Sequence, residues 1–299
     1  MVTRAFNPPT DFPALVELLN HVAKADGNSS TTEAEQREKV ALYEKYGQFQ
    51  QWVIRHLQNP TSLVAYANLF KQPETPYAEF TLATRPEFDR EKLEEALLDM
   101  ITREARQLEA TYISALVDSK NQRLQTILLD KSFKREGGFR LMMMNLTPLL
   151  PKAEISARFS LRTYDQVNNM KIMVEIVNRG WGDLPGHKVA TENVDWVHQQ
   201  PHDSIFLLFD ESSKASGCVS ASLREDGQGR VDAPALIPEH RQPDLYRALI
   251  LLGLHYLAER GCKEVRLESW GDYDSTIAAY IDLGFKTTIH EIGYRLDLL

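Results

Sequence analysis

The residues best placed to do chemistry lie where an apolar strand runs into a helix. The stretch 231–244 reads VDAPALIPEHRQPD. Behind it Leu245, Leu249, Leu252 and Tyr256 recur at the three- and four-residue spacing of a helix that buries one face. A turn at a helix N-terminus carries backbone N–H groups without intrahelical partners and the positive end of the helix dipole, so it is a place to hold an anion. Arg241 sits in that turn. It either adds charge for the anion or is a surface residue that the dipole slightly disfavours. Other polar residues offer less. His187, His198, His202, His240, His255 and His290 show no His-Glu-x-x-His or comparable metal spacing, and Cys218 and Cys262 have no neighbouring Cys or His at zinc-site spacing. Gly137-Gly138 reads as a turn and not a phosphate loop, since no helix follows. Trp181, Trp196 and Trp270 either line a pocket or pack in a core.

These residues need elements to hold them. Gly261 ends the helix, where a residue free to take positive φ is favoured, and Val265 and Leu267 alternate as in a half-buried strand. A second helix follows, with Ile277, Tyr280 and Ile281 at packing spacing before Gly284-Phe285. Upstream, the pattern predicts a short strand at 3–6 and a helix capped by Asp11 with Pro13 in its first turn. A charged helix at 32–46 comes next, then strands at 49–56, 62–70 and 77–83, the first two a hairpin turning at Asn59-Pro60. A helix at 91–108, a strand at 112–117, a helix at 121–130 and a strand at 139–146, with Met142, Met143 and Met144 in its core, close this half. NLTPLLPK (145–152) has two prolines and no periodicity, which places a linker near 145–155. The order of elements then restarts with a strand at 159–162, helices at 164–179 and 191–199, and strands at 204–210 and 218–223. A strand at 287–296 ends it.

The halves are related. TRPEFDREKLEEALL (84–98) lies over LIPEHRQPDLYRALI (236–250) at a constant offset of 152, and the same offset carries Asp130 onto Asp282 and Phe133 onto Phe285. With the matching order of elements, this reads as a diverged duplication. The expectation is two domains, 1–147 and 156–299, each near the usual domain size.

Hydrophobic residues make up 43% and charged residues 25%, the balance of a globular protein. The formal net charge of −8 argues against nucleic acid or an anionic membrane as partner and suits a neutral or cationic small substrate. The first residues carry no apolar core of signal-peptide length, and no run of about 18 apolar residues occurs. A cytoplasmic location without membrane attachment is expected.

The order of elements and three segments resemble the GNAT acyltransferase superfamily, here in tandem. IPEHRQPDLYRALILLGLHYLAERG (237–261) is similar to its acyl-CoA-binding loop and helix, and TIAAYIDLGF (276–285) to its second helix and Gly-Phe turn. NRGWGDLPGHKVATENVDWV (178–197) resembles the N-terminal helices of tandem members such as the mycothiol synthase group. The fold class implied is α+β (mixed α/β): two tandem GNAT-like domains, each a mostly antiparallel sheet flanked by helices. The activity implied is N-acyl transfer, with acetyl-CoA as acyl donor and a small amine as acceptor, in the C-terminal domain.

The resemblance also assigns roles. The CoA pyrophosphate falls to the segment holding Leu236, Ile237, Arg241, Gln242, Asp244, Leu245, Tyr246 and Arg247. Tyr280 takes the place of the acid that protonates the leaving thiolate, and Glu268 that of the base, with Glu239 as a second candidate. Asp183 and Gly186-His187 fall in a substrate-side loop. The family pattern in the phosphate turn is Arg/Gln-x-x-Gly-x-Gly/Ala. Arg241 matches it, but Asp244 and Tyr246 stand at the glycine positions and Pro243 lacks a donor. The first copy, beginning at Asp89, departs at all three positions and has Leu128 in place of the Tyr. These departures support the alternative of an inactive GNAT-fold binding or scaffold protein that has lost CoA.

Overall fold

The computed structural model describes residues 2–27, 30–56, 59–147, 149–184, 194–224 and 227–298. The chain forms two compact units, one of Met1–Glu136 with Ile292–Leu299 and one of Gly137–Glu291.

The first unit runs β1 (Val2–Ala5), α1 (Pro8–Asp26), α2 (Glu33–Tyr46), β2 (Gln48–His56), β3 (Asn59–Lys71), β4 (Tyr77–Thr84), α3 (Arg90–Gln107), β5 (Tyr112–Asp118) and α4 (Gln122–Asp130). Strands β1 to β5 lie in chain order, antiparallel except for β4 and β5, which pair in parallel over Tyr77–Glu79 only. Leu97, Leu98 and Ile101 of α3 bury against Leu69 and Phe80 of the sheet, as the period of the helix requires. Asp11 does not cap α1. The helix starts at Pro8, two prolines fill its first positions, and Asp11 in the first turn accepts the Asn7 N–H at 2.8 Å. The same buried carboxylate pairs with Arg4 and Arg55. Burial pushes its pKa up, but those bonds outweigh burial and bring it to about 2.

The second unit takes in the end of β6 (Lys134–Asn145), then β7 (Ser160–Thr163), α5 (Tyr164–Val167), α6 (Met170–Trp181), β8 (Ile205–Phe209), β9 (Ala215–Leu223), β10 (Gly229–Asp232), β11 (Ala235–Leu236), α7 (Pro243–Glu259), β12 (Glu264–Trp270), α8 (Asp274–Asp282) and the start of β13 (Lys286–Asp297). Its strands follow the order β6, β12, β10, β9, β8, β7, with β11 beside β9. The helix expected at 164–179 is broken at Asn168, whose φ of 43° is left-handed. The described part of 191–199 is a short 3-10 turn, Asp195–Gln199.

The mixed α/β class is as expected, with mostly antiparallel strands. The compact units and the expected boundary near 145–155 divide the chain differently. Phe139–Asn145 pairs with Glu264–Trp270 and buries Met142 and Met144 in the second core, while Tyr294 and Leu298 bury in the first. Each half therefore gives the end of its last strand to the other unit. Alternating apolar residues identify a strand and not its partner, so the exchange left no mark in the pattern. Gly137 and Gly138, at φ 63° and 157°, lie inside β6 where the chain passes between units, and are not a hairpin turn. The segment read as a linker is a strap, with Leu150, Ala153 and Ile155 packed on the second core.

Candidate active site in the second unit

The site is built on strands that part. β10 and β12 run in parallel from Gly229 and Val265 to Asp232 and Glu268. Beyond Asp232 the chain turns away through Ala233-Pro234, and β11 pairs only with Gly217 and Cys218 of β9. β12 instead continues to Trp270 along β6. The backbone groups that would have joined the two strands are thereby released at the fork. Close approach of helices holds the fork in shape. A Cβ on Gly253 of α7 would lie 3.1 Å from Val231 of β10, and one on Gly180 of α6 only 2.8 Å from Ala235 of β11.

Three polar groups converge behind the fork. Tyr280 on α8 is fully buried in the core with Leu267, Ile277 and Phe285, yet its hydroxyl has no hydrogen-bond partner among the described residues. Burial raises its pKa well above the ordinary tyrosine value, and Asp272 and Tyr246 nearby add to this. Burial likewise pushes Tyr246 up to about 12. Asp272, in the loop after β12, is 9% exposed, and its Oδ2 has no hydrogen-bond partner among the described residues. Burial raises this carboxyl to about 6, with Ser269, Arg140 and Arg241 pulling the other way. A carboxyl that titrates close to neutrality at the mouth of a pocket is suited to taking up a proton.

Asp272 also lines a cavity of about 280 Å³ at the fork, together with Asp232, Ala233, Glu268, Arg230 and the indoles of Trp181, Trp196 and Trp270. The three tryptophans that had either a pocket or a packing role thus share one cavity wall. Glu268 points into this cavity but is ion-paired with Arg266 and lies 3.8 Å from Arg230. Asp232 accepts from Ser220 and from Arg230, the latter at 2.8 Å. Glu239 is elsewhere, exposed and paired with Arg179 at 2.9 Å.

The turn that the resemblance assigns to the CoA pyrophosphate is arranged differently from the expectation. Arg241 makes a two-pronged pair with Asp183 at 2.6 and 2.7 Å, donates to the carbonyls of Leu236 and Gly180, and lies 3.3 Å from the Tyr273 hydroxyl. All three of its nitrogens are engaged, so it ties α6 to the turn and does not face an incoming phosphate. The same guanidinium holds the Asp183 carboxyl below its usual range, against burial. The N–H groups of Leu245 and Tyr246 donate to the Gln242 carbonyl at 3.0 and 3.1 Å. Leu236, Ile237, Leu245 and Tyr246 are buried, Gln242 and Asp244 are exposed, and Arg247 is between. Tyr246, at a glycine position of the family pattern, belongs to the core beside Tyr280. Gly186 and His187 lie outside the described residues.

Asp272 escaped the sequence reading. Its signal was faint: a GDYD loop directly after a strand whose last residue, Trp270, is aromatic. Only the fold shows that this one of two nearby aspartates is buried while Asp274 is exposed.

No family model matches the chain. A mycothiol acetyltransferase from Kytococcus sedentarius is 26% identical over 151 residues, 48% of this chain and 51% of the relative. One from Gordonia bronchialis is 28% identical over 158 residues, 49% of this chain and 50% of the relative. The chain therefore spans about half the length of the curated relatives it matches. A GCN5-related N-acetyltransferase from Sphaerobacter thermophilus superposes with a TM-score of 0.71 at 16% identity, covering 99% of this chain and 95% of that one. A tandem GNAT protein from the clavulanic acid biosynthesis pathway gives 0.60 at 15% identity, over 100% and 98%. At such identities the superpositions speak for the fold. The chain has the tandem GNAT fold and is distantly similar to the mycothiol acetyltransferases.

Proposed function

We propose that the second unit is an N-acyltransferase that moves an acyl group, acetyl in the simplest case, from CoA to a small amine. The observation that carries this reading is the Tyr280 hydroxyl, buried and without a partner. A phenylalanine would fill the same core without the cost of an unsatisfied buried donor, about 1–3 kcal/mol. The family resemblance gives this hydroxyl the place of the acid that protonates the leaving sulfur. In the reaction, a deprotonated amine nitrogen bonds to the thioester carbonyl carbon as the carbon–sulfur bond breaks. Asp272 accepts the proton that the ammonium must lose, and Tyr280 gives one to the thiolate. Glu268, held by two arginines, is less free for the base role than Asp272. Backbone groups released at the fork are available to the carbonyl oxygen.

The thioester end of the donor fits these residues. Its pyrophosphate end does not fit the turn as it stands, because Arg241 is bound to Asp183 and Tyr246 fills the space a glycine would leave. That observation favours a second reading, a GNAT-fold binder of small molecules that does not use CoA. A thermal-shift titration with acetyl-CoA divides the two, since a ligand specific to the folded state raises stability by mass action. Stabilisation at submillimolar acetyl-CoA, with acylated amine detected by mass spectrometry, is expected. Absence of both at millimolar donor would leave only the binder.

A further inference from the structure

The cavity at the fork has a charge balance that selects its occupant. Asp232 is satisfied by Ser220 and Arg230, and Glu268 by Arg266 with Arg230 close by. Asp272 is different. Its Oδ2 is buried, and among the described residues it has no hydrogen-bond partner, while Asp272 itself lines the cavity. The groups that face Asp272 are Ser269 on β12, Arg140 on β6, Arg241 in the turn, and Tyr246 and Tyr280 on α7 and α8. Arg241 is already committed to Asp183, and Arg140 lies 3.9 Å from Asp274. Counting the three lining carboxylates with Asp183 and Asp274 against Arg230, Arg266, Arg140 and Arg241, the cluster lacks one positive charge.

The rest of the wall is aromatic. Indole faces attract cations and pack well against flat hydrocarbon, and Trp is the strongest of the aromatic residues in the first role. A volume of about 280 Å³ lies at the small end of ligand sites. A carboxylate or phosphate on the ligand would find the described arginines at this wall already taken by acids, and a second ammonium would find no second unpaired acid among the described residues.

We propose that this cavity is the acceptor site for a small monocationic amine, one ammonium on an aromatic or aliphatic hydrocarbon body, with the ammonium on Asp272 and the body against Trp181, Trp196 and Trp270. Zwitterionic amino acids, diamines and sugar phosphates are excluded by charge. The inference rests on reading the second unit as an amine-acylating site, but binding of the amine is measurable without any acyl donor.

The test is calorimetry on the whole chain with phenethylamine, phenylalanine, putrescine and phenethyl alcohol, which vary charge on comparable bodies. At about pH 7.5, where Asp272 is ionised, phenethylamine is expected to bind about tenfold or more tighter than the other three. Its advantage over the alcohol is expected to shrink to within about threefold at pH 5, where Asp272 holds its proton, and in Asp272→Asn at either pH. Trp270→Leu, at a half-exposed strand end packed on Phe139, should weaken the amine about fivefold if the indole contributes a cation–π contact. Melting curves establish that each variant is folded.

Equal or tighter binding of phenylalanine or putrescine, an amine preference that survives Asp272→Asn, or no binding of phenethylamine at millimolar concentration would each overturn the proposal. Adding acetyl-CoA separates the two readings. Bound amine without acylated product sinks acyl transfer and keeps the monocation site. Acylation of an amino acid and not of the amine does the reverse.

Discussion

Where the second unit carries Tyr246, the first carries Glu94, and where the second has Tyr280, the first has Leu128. In both units a pair of parallel strands separates ahead of the long helix, β4 from β5 and β10 from β12. The first unit closes its fork with charge. Glu94 is buried, accepts from Thr84 at 2.9 Å, is ion-paired with Arg123, and lies 3.8 Å from Arg90. Arg90 in turn grips Asp26 at 2.7 and 2.9 Å, and Asn121 donates to the same carboxylate. Leu128 completes the fill, and Arg90 Nε, 3.8 Å from Glu94, is the polar atom of this cluster left without a hydrogen bond among the described residues. The second unit instead leaves Tyr280 and Asp272 with unpaired atoms behind a cavity. Buried polar groups are normally satisfied because leaving them unpaired costs stability, so the two forks have different tasks. One ties its carboxylates into ion pairs. The other keeps a carboxyl and a hydroxyl unpaired beside a cavity, an arrangement that a ligand or a bound water would relieve.

Breaking the first fork should cost most. Glu94→Ala strands Arg123 and Arg90 beside a hole, and loss of one partner of a buried pair typically costs about 3–5 kcal/mol. With Arg123 partly exposed, the low end is expected. Urea unfolding followed by Trp52, the one tryptophan in the first unit, reads that loss directly. An unchanged midpoint would mean that the ion pair is not what closes the fork.

The opposite sign is expected for Asp272→Asn in the second unit. The carboxyl titrates near 3.8 when unfolded and near 6 when folded, so between those values the folded state holds more protons and stability falls as pH rises. Above pH 6 the penalty is complete, about 3 kcal/mol for a shift of roughly two units. Asparagine should remove it, raising the unfolding midpoint at neutral pH and leaving it unchanged below about pH 4. The fluorescence of Trp181, Trp196 and Trp270 reports on this unit. A stabilised protein that has lost amine binding is the signature of a residue kept for function.

Tyr280→Phe sharpens the same contrast on a smaller scale. Removing the unpartnered hydroxyl should leave stability unchanged or raise it by about 1–2 kcal/mol, while lowering the rate of acyl transfer. If stability drops instead, the hydroxyl has a partner, a bound water for example, and its claim as the acid weakens.

Much of this contrast was visible in the residues. The offset of 152 and the apolar spacing of both long helices identified the duplication, because helical periodicity is written locally. The same offset matches bonds that no pattern displays: Phe133 N–H to the Leu128 carbonyl and Phe285 N–H to that of Tyr280, Ala110 to Ala105 and Cys262 to Leu257. The family resemblance singled out Tyr280 and Glu268, and both side chains lie at or beside the fork. Asp272 and the Asp183–Arg241 pair were not found. Both depend on contacts between elements far apart in sequence, and a carboxylate's burial cannot be read from its neighbours in the chain. The strand exchange was hidden for the same reason.

The smallest effect lies in the turn that ends α4 and α8. Gly284 takes φ 104° and Ser132, its counterpart, takes φ 68°. A side chain disfavours this left-handed region because its Cβ crowds the following carbonyl, and glycine does not carry that penalty. Ser132→Gly should therefore stabilise the first unit modestly, by less than about 1 kcal/mol, since greater freedom of the unfolded chain takes back part of the gain. Gly284→Ala should destabilise the second unit by about 1 kcal/mol from backbone strain. The added Cβ would itself meet Met144 at an ordinary 3.6 Å, so crowding is not the cause. Equal and small shifts of opposite sign in the two tryptophan-reported transitions would confirm that the copies share a turn geometry while their chemistry has diverged. A large loss in Gly284→Ala would show that the turn also positions Tyr280, whose carbonyl accepts the Phe285 N–H across it at 3.2 Å.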